Sequence, residues 1–100
     1  MSRSILTDLP VCFICGDTRH LDRHHIFFGT ANRRLSEREG CWVYLCRWHH
    51  TQGNNSVHQN REMDLRLKRM CEKRWIEENG TEEDFRKIFG KSWLTEEDEE

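Results

Sequence analysis

Two pairs of metal-type donors constrain this chain more than anything else in it: Cys12 with Cys15, and Cys46 with His49, each pair separated by two residues. A C-x2-C or C-x2-H turn puts two donors on one tight loop, where they can form one edge of a coordination shell. Two such edges complete the tetrahedral Cys3His set that Zn²⁺ prefers in closed structural sites. A lone C-x2-C would serve as well for a redox pair, but no βαβ pattern of the thioredoxin kind surrounds this one. His49 has the favoured spacing for the fourth ligand, with the adjacent His50 as the alternative. A chain of 100 residues buries only a modest core. Structural zinc can contribute on the order of 10 kcal/mol of folding free energy, comparable to the whole stability of a domain. The N-terminal half is therefore expected to be largely unfolded without metal.

Composition bears on where such a site would work. Residues are 34% charged and 35% hydrophobic, and apolar runs such as Ile26-Phe27-Phe28 are far too short for a signal peptide or a membrane span. The expectation is a cytoplasmic protein with no membrane partner, in a reducing compartment where five cysteines are metal ligands and free thiols rather than disulfides. Cys41 and Cys71 are then core residues. The formal net charge of −2 is unevenly spread, because the last six residues hold five acids and no base. Residues 95–100 read as a solvated, disordered acidic tail, and residues 1–94 as a single, mildly basic domain.

Within that domain, residues 20–28 read as a strand leaving the Cys12–Cys15 knuckle, and residues 42–45 as a second, β-branched and aromatic strand. Residues 33–40 form a polar connection with room for a helical turn, and residues 52–56 form a loop. Residues 61–79 carry the clearest pattern, a long helix closed by Gly80, with Leu67, Met70, Cys71 and Trp75 on one face. Thr81-Glu-Glu-Asp84 resembles a capping box opening a short helix that Gly90 closes. The four tryptophans, Trp42, Trp48, Trp75 and Trp93, are expected in the core or shielding the metal. The fold class is α+β, a small zinc-stabilised domain with a long C-terminal helix and a short closing one.

Six histidines are more than core packing needs. With His49 assigned to zinc and His20 read as a surface residue, the doublet His24-His25, His50 and His58 remain. Cys12-x2-Cys15, then Asp22-Arg23-His24-His25-Ile26, then Leu45-Cys46-x2-His49-His50, then His58, resembles the zinc-containing branch of the HNH (ββα-metal) endonucleases. In particular it is similar to the small HNH-type proteins of phages and prophages, which would place it in a bacterial host cell. The resemblance covers residues 12–58, with residues 61–94 as the helical part, and it implies a treble-clef or ββα-metal fold. It also implies His25 as the general base that activates water, and His24, His50 and His58 as ligands of a second, catalytic divalent ion: Mg²⁺, Mn²⁺, Ni²⁺ or Zn²⁺.

The chain departs from that pattern in three ways. The family's central Asn, which braces the loop between the strands, has no clear counterpart, since Ser36-Glu37-Arg38-Glu39-Gly40 fills that stretch and only Asn32 lies nearby. His50 and His58 would be about 12 Å apart on an unbroken helix, so the loop between them has to fold back. Adjacent residues on a regular strand face opposite sides, so His24 and His25 serve one site only where the strand ends or bulges. Arg33 and Arg34 are the expected clamp on a nucleic-acid backbone. The implied activity is metal-dependent hydrolysis of DNA, with a homodimer or protein partner favoured for two-strand cutting. The alternative is a non-catalytic zinc module that binds nucleic acid or protein and keeps a decayed HNH site.

Overall fold

The computed structural model describes residues 3–7, 9–52, 56 and 59–94. The expected acidic tail at 95–100 and the proposed ligand His58 lie outside them. Strand β1 (Leu21–His25) and strand β2 (Trp42–Cys46) pair antiparallel, from Leu21 opposite Cys46 to His25 opposite Trp42. Helix α1 (Thr30–Glu39) lies between the strands, a π-helical turn at Trp48–Gln52 follows β2, and helices α2 (Arg61–Asn79) and α3 (Glu82–Phe89) complete the architecture. The fold is thus a small α+β arrangement around a two-stranded sheet.

The first strand is shorter than the apolar run suggested. Pairing stops at His25, and Ile26 makes one more contact, its N–H donating to the Cys41 carbonyl at 2.9 Å. Phe27 then turns fully inward and meets the rings of Phe85, Phe89 and Trp93 at centroid separations of 5.3, 4.6 and 4.7 Å. Such offset and tilted pairs add to the stabilisation from apolar burial. This aromatic plug fastens the hairpin to α3. A second tie runs from Trp75 Nε1 on α2 to Glu39 Oε1 on α1, at 3.0 Å.

The stretch read as a polar connection is a full ten-residue helix. Its polar composition hid it: only Ser36 is buried among its described side chains, so the apolar stripe that marks an amphipathic helix is missing. Gly40 ends it in the left-handed conformation at φ 75°. A Cβ there would lie 2.4 Å from the Arg3 carbonyl oxygen, so no other residue fits without backbone movement. Inside the connection, Ser36 Oγ donates to the Phe27 carbonyl at 2.7 Å and accepts from the Phe27 N–H at 3.1 Å.

Helices α2 and α3 follow the sequence pattern closely. Asn60 caps α2 through the Met63 N–H, and Thr81 with Asp84 forms the reciprocal capping box of α3. Leu67, Cys71 and Trp75 are buried as expected, whereas Met70 is 40% exposed, one position off the packed stripe. Cys41 and Cys71 are both fully buried, and the neighbouring Cys41 thiol together with burial pushes the Cys71 thiol well above 9. All five cysteines are free thiols, and no helix among the described residues is long and apolar enough to cross a membrane.

Glu72 is the carboxylate most enclosed by this packing. It accepts from Ser92 Oγ and from the Trp93 N–H, at 2.7 Å for the latter, and so ties the segment after α3 to α2. Burial nonetheless outweighs these bonds and raises its carboxyl above 4.5.

Two outcomes follow from these contacts. Ser36→Ala strands the buried Phe27 N–H and carbonyl and should cost about 2 kcal/mol in urea unfolding. Glu72 has a raised folded pKa, so the folded state holds its proton more tightly, and its contribution to stability is lost as pH rises from 4.5 through the folded value. Glu72→Gln, whose amide oxygen can still accept from the Trp93 N–H while its NH2 donates to Ser92 Oγ, should therefore gain stability relative to the wild type over that window. Parallel urea midpoints for the two proteins across pH 4 to 8 would check it.

Candidate metal centre and histidine cleft

The knuckle is built by backbone geometry. The Cys12 N–H donates to the Asp17 carbonyl and the Gly16 N–H to the Cys12 carbonyl, each at 2.8 Å, which folds residues 12–17 into a tight loop. The Phe13 N–H then donates to the Tyr44 carbonyl at 2.8 Å and docks the loop on β2. Across from it, the chain leaves β2 at Cys46 and enters the π-helical turn, which brings His49 round beside Cys46.

The four expected donors converge there. One ligand atom each from Cys12, Cys15, Cys46 and His49 lies within 4.8 Å of all the others. Cys15 Sγ is 3.8 Å from Cys46 Sγ, and His49 Nδ1 is 3.7 Å from Cys12 Sγ and 3.3 Å from Cys46 Sγ. Zinc–sulfur bonds of about 2.3 Å and zinc–nitrogen bonds of about 2.0 Å at tetrahedral angles require edges of roughly 3.8 and 3.5 Å. The observed edges match this shape, so the cluster could hold a metal ion such as zinc. Among the described residues no other set of three or more such groups meets in this way. His49 rather than His50 faces the thiols.

The electrostatics favour a thiolate at one corner. Burial alone would raise the Cys12 thiol, but backbone hydrogen bonds from Cys46, Cys15 and Ile14 outweigh it and hold Cys12 at about 6. Cys15 moves the other way: an Asp17 backbone hydrogen bond lowers it, while desolvation and the adjacent Cys12 and Cys46 thiols raise it more. Crowded thiols that resist sharing negative charge are the arrangement a dication relieves.

Of the remaining histidines, His24 and His25 lie on β1, where the alternation of the strand sorts them. Asp22 and His24 project to one face and Arg23 and His25 to the other. On the first face, His50 Nδ1 lies 3.2 Å from Asp22 Oδ2, and its ring centroid is 5.3 Å from that of the buried His24. On the second, Glu37 of α1 accepts from Arg23 Nη1 at 2.7 and 2.8 Å and lies 3.3 Å from His25 Nε2. The Arg23 guanidinium is held in turn 3.8 Å above the Trp42 ring. Because β1 ends at His25, both faces open on one cleft of about 270 Å³, lined by Arg23, His24, His25, Phe28, Arg33 and His50.

Arg33 lines this cleft and Arg34, beside it on α1, is exposed. His20 is exposed and adopts a positive φ of 53°. Of the tryptophans, Trp42 and Trp75 are buried and Trp93 packs on Phe27, but Trp48 departs from the expected core or shielding role: it is 60% exposed, because the π-helical turn that points His49 at the thiols aims its neighbour outward. Sequence reading missed three contributors, namely Asp22, Glu37 and Ser36. Asp22 stood inside the quoted motif, and an acid two residues before a histidine on a strand was the available signal. Glu37 and Ser36 gave none, since their partners are remote in sequence.

Stripping the metal with a strong chelator should unfold the N-terminal half, because free energy on the order of 10 kcal/mol is withdrawn from a small core. Cys46→Ser should reproduce the loss in the presence of zinc. Circular dichroism with zinc content by mass spectrometry checks both, and a protein that keeps its fold and melting temperature after stripping would count against a structural metal.

No family model, curated protein or solved structure matches this chain.

Proposed function

We propose that the chain is a metal-dependent endonuclease of the HNH, ββα-metal kind that hydrolyses phosphodiester bonds of DNA. One observation carries this reading: a histidine doublet at the end of a strand opens on the same arginine-lined cleft as His50, directly beside a Cys3His cluster. Knuckle, hairpin and following helix in this order support a treble-clef frame, with zinc on Cys12, Cys15, Cys46 and His49.

His25 is the general base. A carboxylate accepts but does not donate, so the imidazole directs Nε2–H at Glu37 and keeps a lone pair on Nδ1 for the proton of an attacking water. Arg23 and Trp42 hold Glu37 and its ion pair in place, which fixes the ring's orientation. His50 sets Nδ1 against Asp22 Oδ2, the carboxylate–histidine arrangement that would orient Nε2 towards a metal. His24 and His50, with His58 outside the described residues, suit a second divalent ion. When bound, such an ion supplies positive charge to the phosphate and to the departing oxygen. Arg33 and Arg34 hold the nucleic-acid backbone against the cleft.

The alternation of β1 favours one second reading. It turns His25 towards Glu37 and His24 towards His50, as a zinc module that binds nucleic acid or protein without cutting would tolerate.

Supercoiled plasmid incubated with the zinc-loaded protein and added Mg²⁺, Mn²⁺ or Ni²⁺ separates the two. Nicking should depend on the added ion and fall by about 10²- to 10⁴-fold in His25→Ala, with zinc content unchanged. Asp22→Asn should raise the concentration of added ion needed by about 10- to 100-fold. Wild type and His25→Ala equally inactive on plasmid and on RNA, under every ion, would leave the binding module.

A further inference from the structure

Most large apolar side chains among the described residues are buried. Among the described residues the exposed large hydrophobic groups are Leu9, Phe28, Trp48 and Met70, and the two aromatic ones each border a cleft lined by histidine and arginine. Phe28 lines the histidine cleft and is 40% exposed, with the Lys68 ammonium 4.1 Å from its ring centroid. Trp48 is 60% exposed and lines a second cleft of about 300 Å³ with Asp17, Arg19, His20, Cys46 and Arg47.

The two residues follow opposite ends of the hairpin: Trp48 comes two residues after Cys46, the partner of Leu21, and Phe28 three residues after His25. The Arg47 N–H donates to the His20 carbonyl at 3.0 Å, which pins the turn bearing Trp48 beside the start of the strand, while Phe28 follows its end. Five strand residues separate the two ends, a span of about 13 Å between the first and last Cα atoms. That corresponds to about four stacked nucleotides at 3.4 Å each, and to fewer when the strand is drawn out.

We infer that the substrate engages this protein as an unpaired nucleic-acid strand, with bases stacking on Phe28 and Trp48 at the two ends of β1. In a duplex the faces of the bases are covered by their neighbours and only their edges are presented in the grooves. An exposed ring therefore finds a base face only where the strand is unpaired, and stacking of this kind tolerates any sequence. Charge on both clefts complements a phosphate backbone. Arg47 is exposed beside Trp48, and Arg19, 80% exposed at its side chain, is steadied through Nε by Asp17 at 3.4 Å. Arg33 lines the Phe28 cleft. The inference rests on the proposed nuclease reading only for the place of the scissile phosphate, between the two rings.

Binding measured without cleavage tests it separately. Zinc-loaded protein, with no second metal added, is titrated into a fluorescently labelled deoxythymidine 12-mer and, in parallel, into a 12-base-pair duplex. The 12-mer should bind more tightly and quench tryptophan fluorescence. Trp48→Ala and Phe28→Ala should each weaken it by about tenfold, with less than a twofold effect on the duplex. Trp48→Phe should retain most of the affinity, and Leu9→Ala should leave it unchanged. Zinc content and circular dichroism establish that each variant is folded. Tighter binding of duplex by the wild type, unchanged 12-mer affinity in both alanine variants, or equal losses on the two substrates would overturn the inference. Single-strand binding that depends on the rings, in a protein that cuts neither plasmid nor single-stranded DNA or RNA with any added ion, would sustain it while removing the nuclease reading.

Discussion

The geometry of the four donors Cys12, Cys15, Cys46 and His49 is the constraint on which the other features depend. Two donors come from a knuckle in the N-terminal segment and two from the end of β2 and the turn beyond it, so a metal held there would join segments about thirty residues apart at the edge of the hydrophobic core, which Cys12 and Cys46 themselves enter. The core itself sits between the hairpin and the C-terminal helices, around Phe27, Leu67, Trp75, Phe85 and Phe89. The molecule is thus secured at two ends by different physics. Apolar burial works at one, and at the other a donor set in which the Cys15–Cys46, Cys12–His49 and Cys46–His49 edges are close to tetrahedral dimensions.

The same turn that delivers His49 to the thiols decides what its neighbours do. His50 swings to Asp22 and His24, and Trp48 swings to solvent. Residues adjacent in sequence therefore take part in three different environments within one turn of chain. The end of β1 acts comparably. Where pairing stops, the alternation of the strand no longer separates its two faces, and His24 and His25 border one cleft while leaning on different carboxylates, Asp22 by way of His50 and Glu37 directly. Each acid thus lies against one imidazole, Glu37 against His25 and Asp22 against His50.

How much of this was legible in the chain depended on the range of the interaction. The donor pairs are local, with two intervening residues each, and their spacing carried over directly to the cluster. Helices α2 and α3 are equally local, written in capping residues and 3.6-residue periodicity, and they appear where those signals put them. Helix α1 was not legible because it buries so little apolar surface that no periodic stripe exists. The connection between the strands is braced by Ser36, whose single hydroxyl bridges both backbone groups of Phe27 from nine residues away. A hydroxyl both donates and accepts, so it can close such a bridge, but nothing in the local sequence marks it for the task.

By itself, then, the sequence determined the three cysteine donors with a histidine from the His49-His50 pair, the two strands, the two C-terminal helices and the presence of surplus histidines, since each follows from residue type, local spacing or periodicity. Only the tertiary structure decided that His49 and not His50 faces the thiols, that Glu37 and Asp22 are the partners of His25 and His50, and that Trp48 is left in solvent while Trp42 and Trp75 are buried. Those outcomes turn on side-chain direction at a strand end and in a single turn of helix. There a rotation of one residue exchanges core for solvent, and contacts between segments far apart in sequence select which rotation prevails.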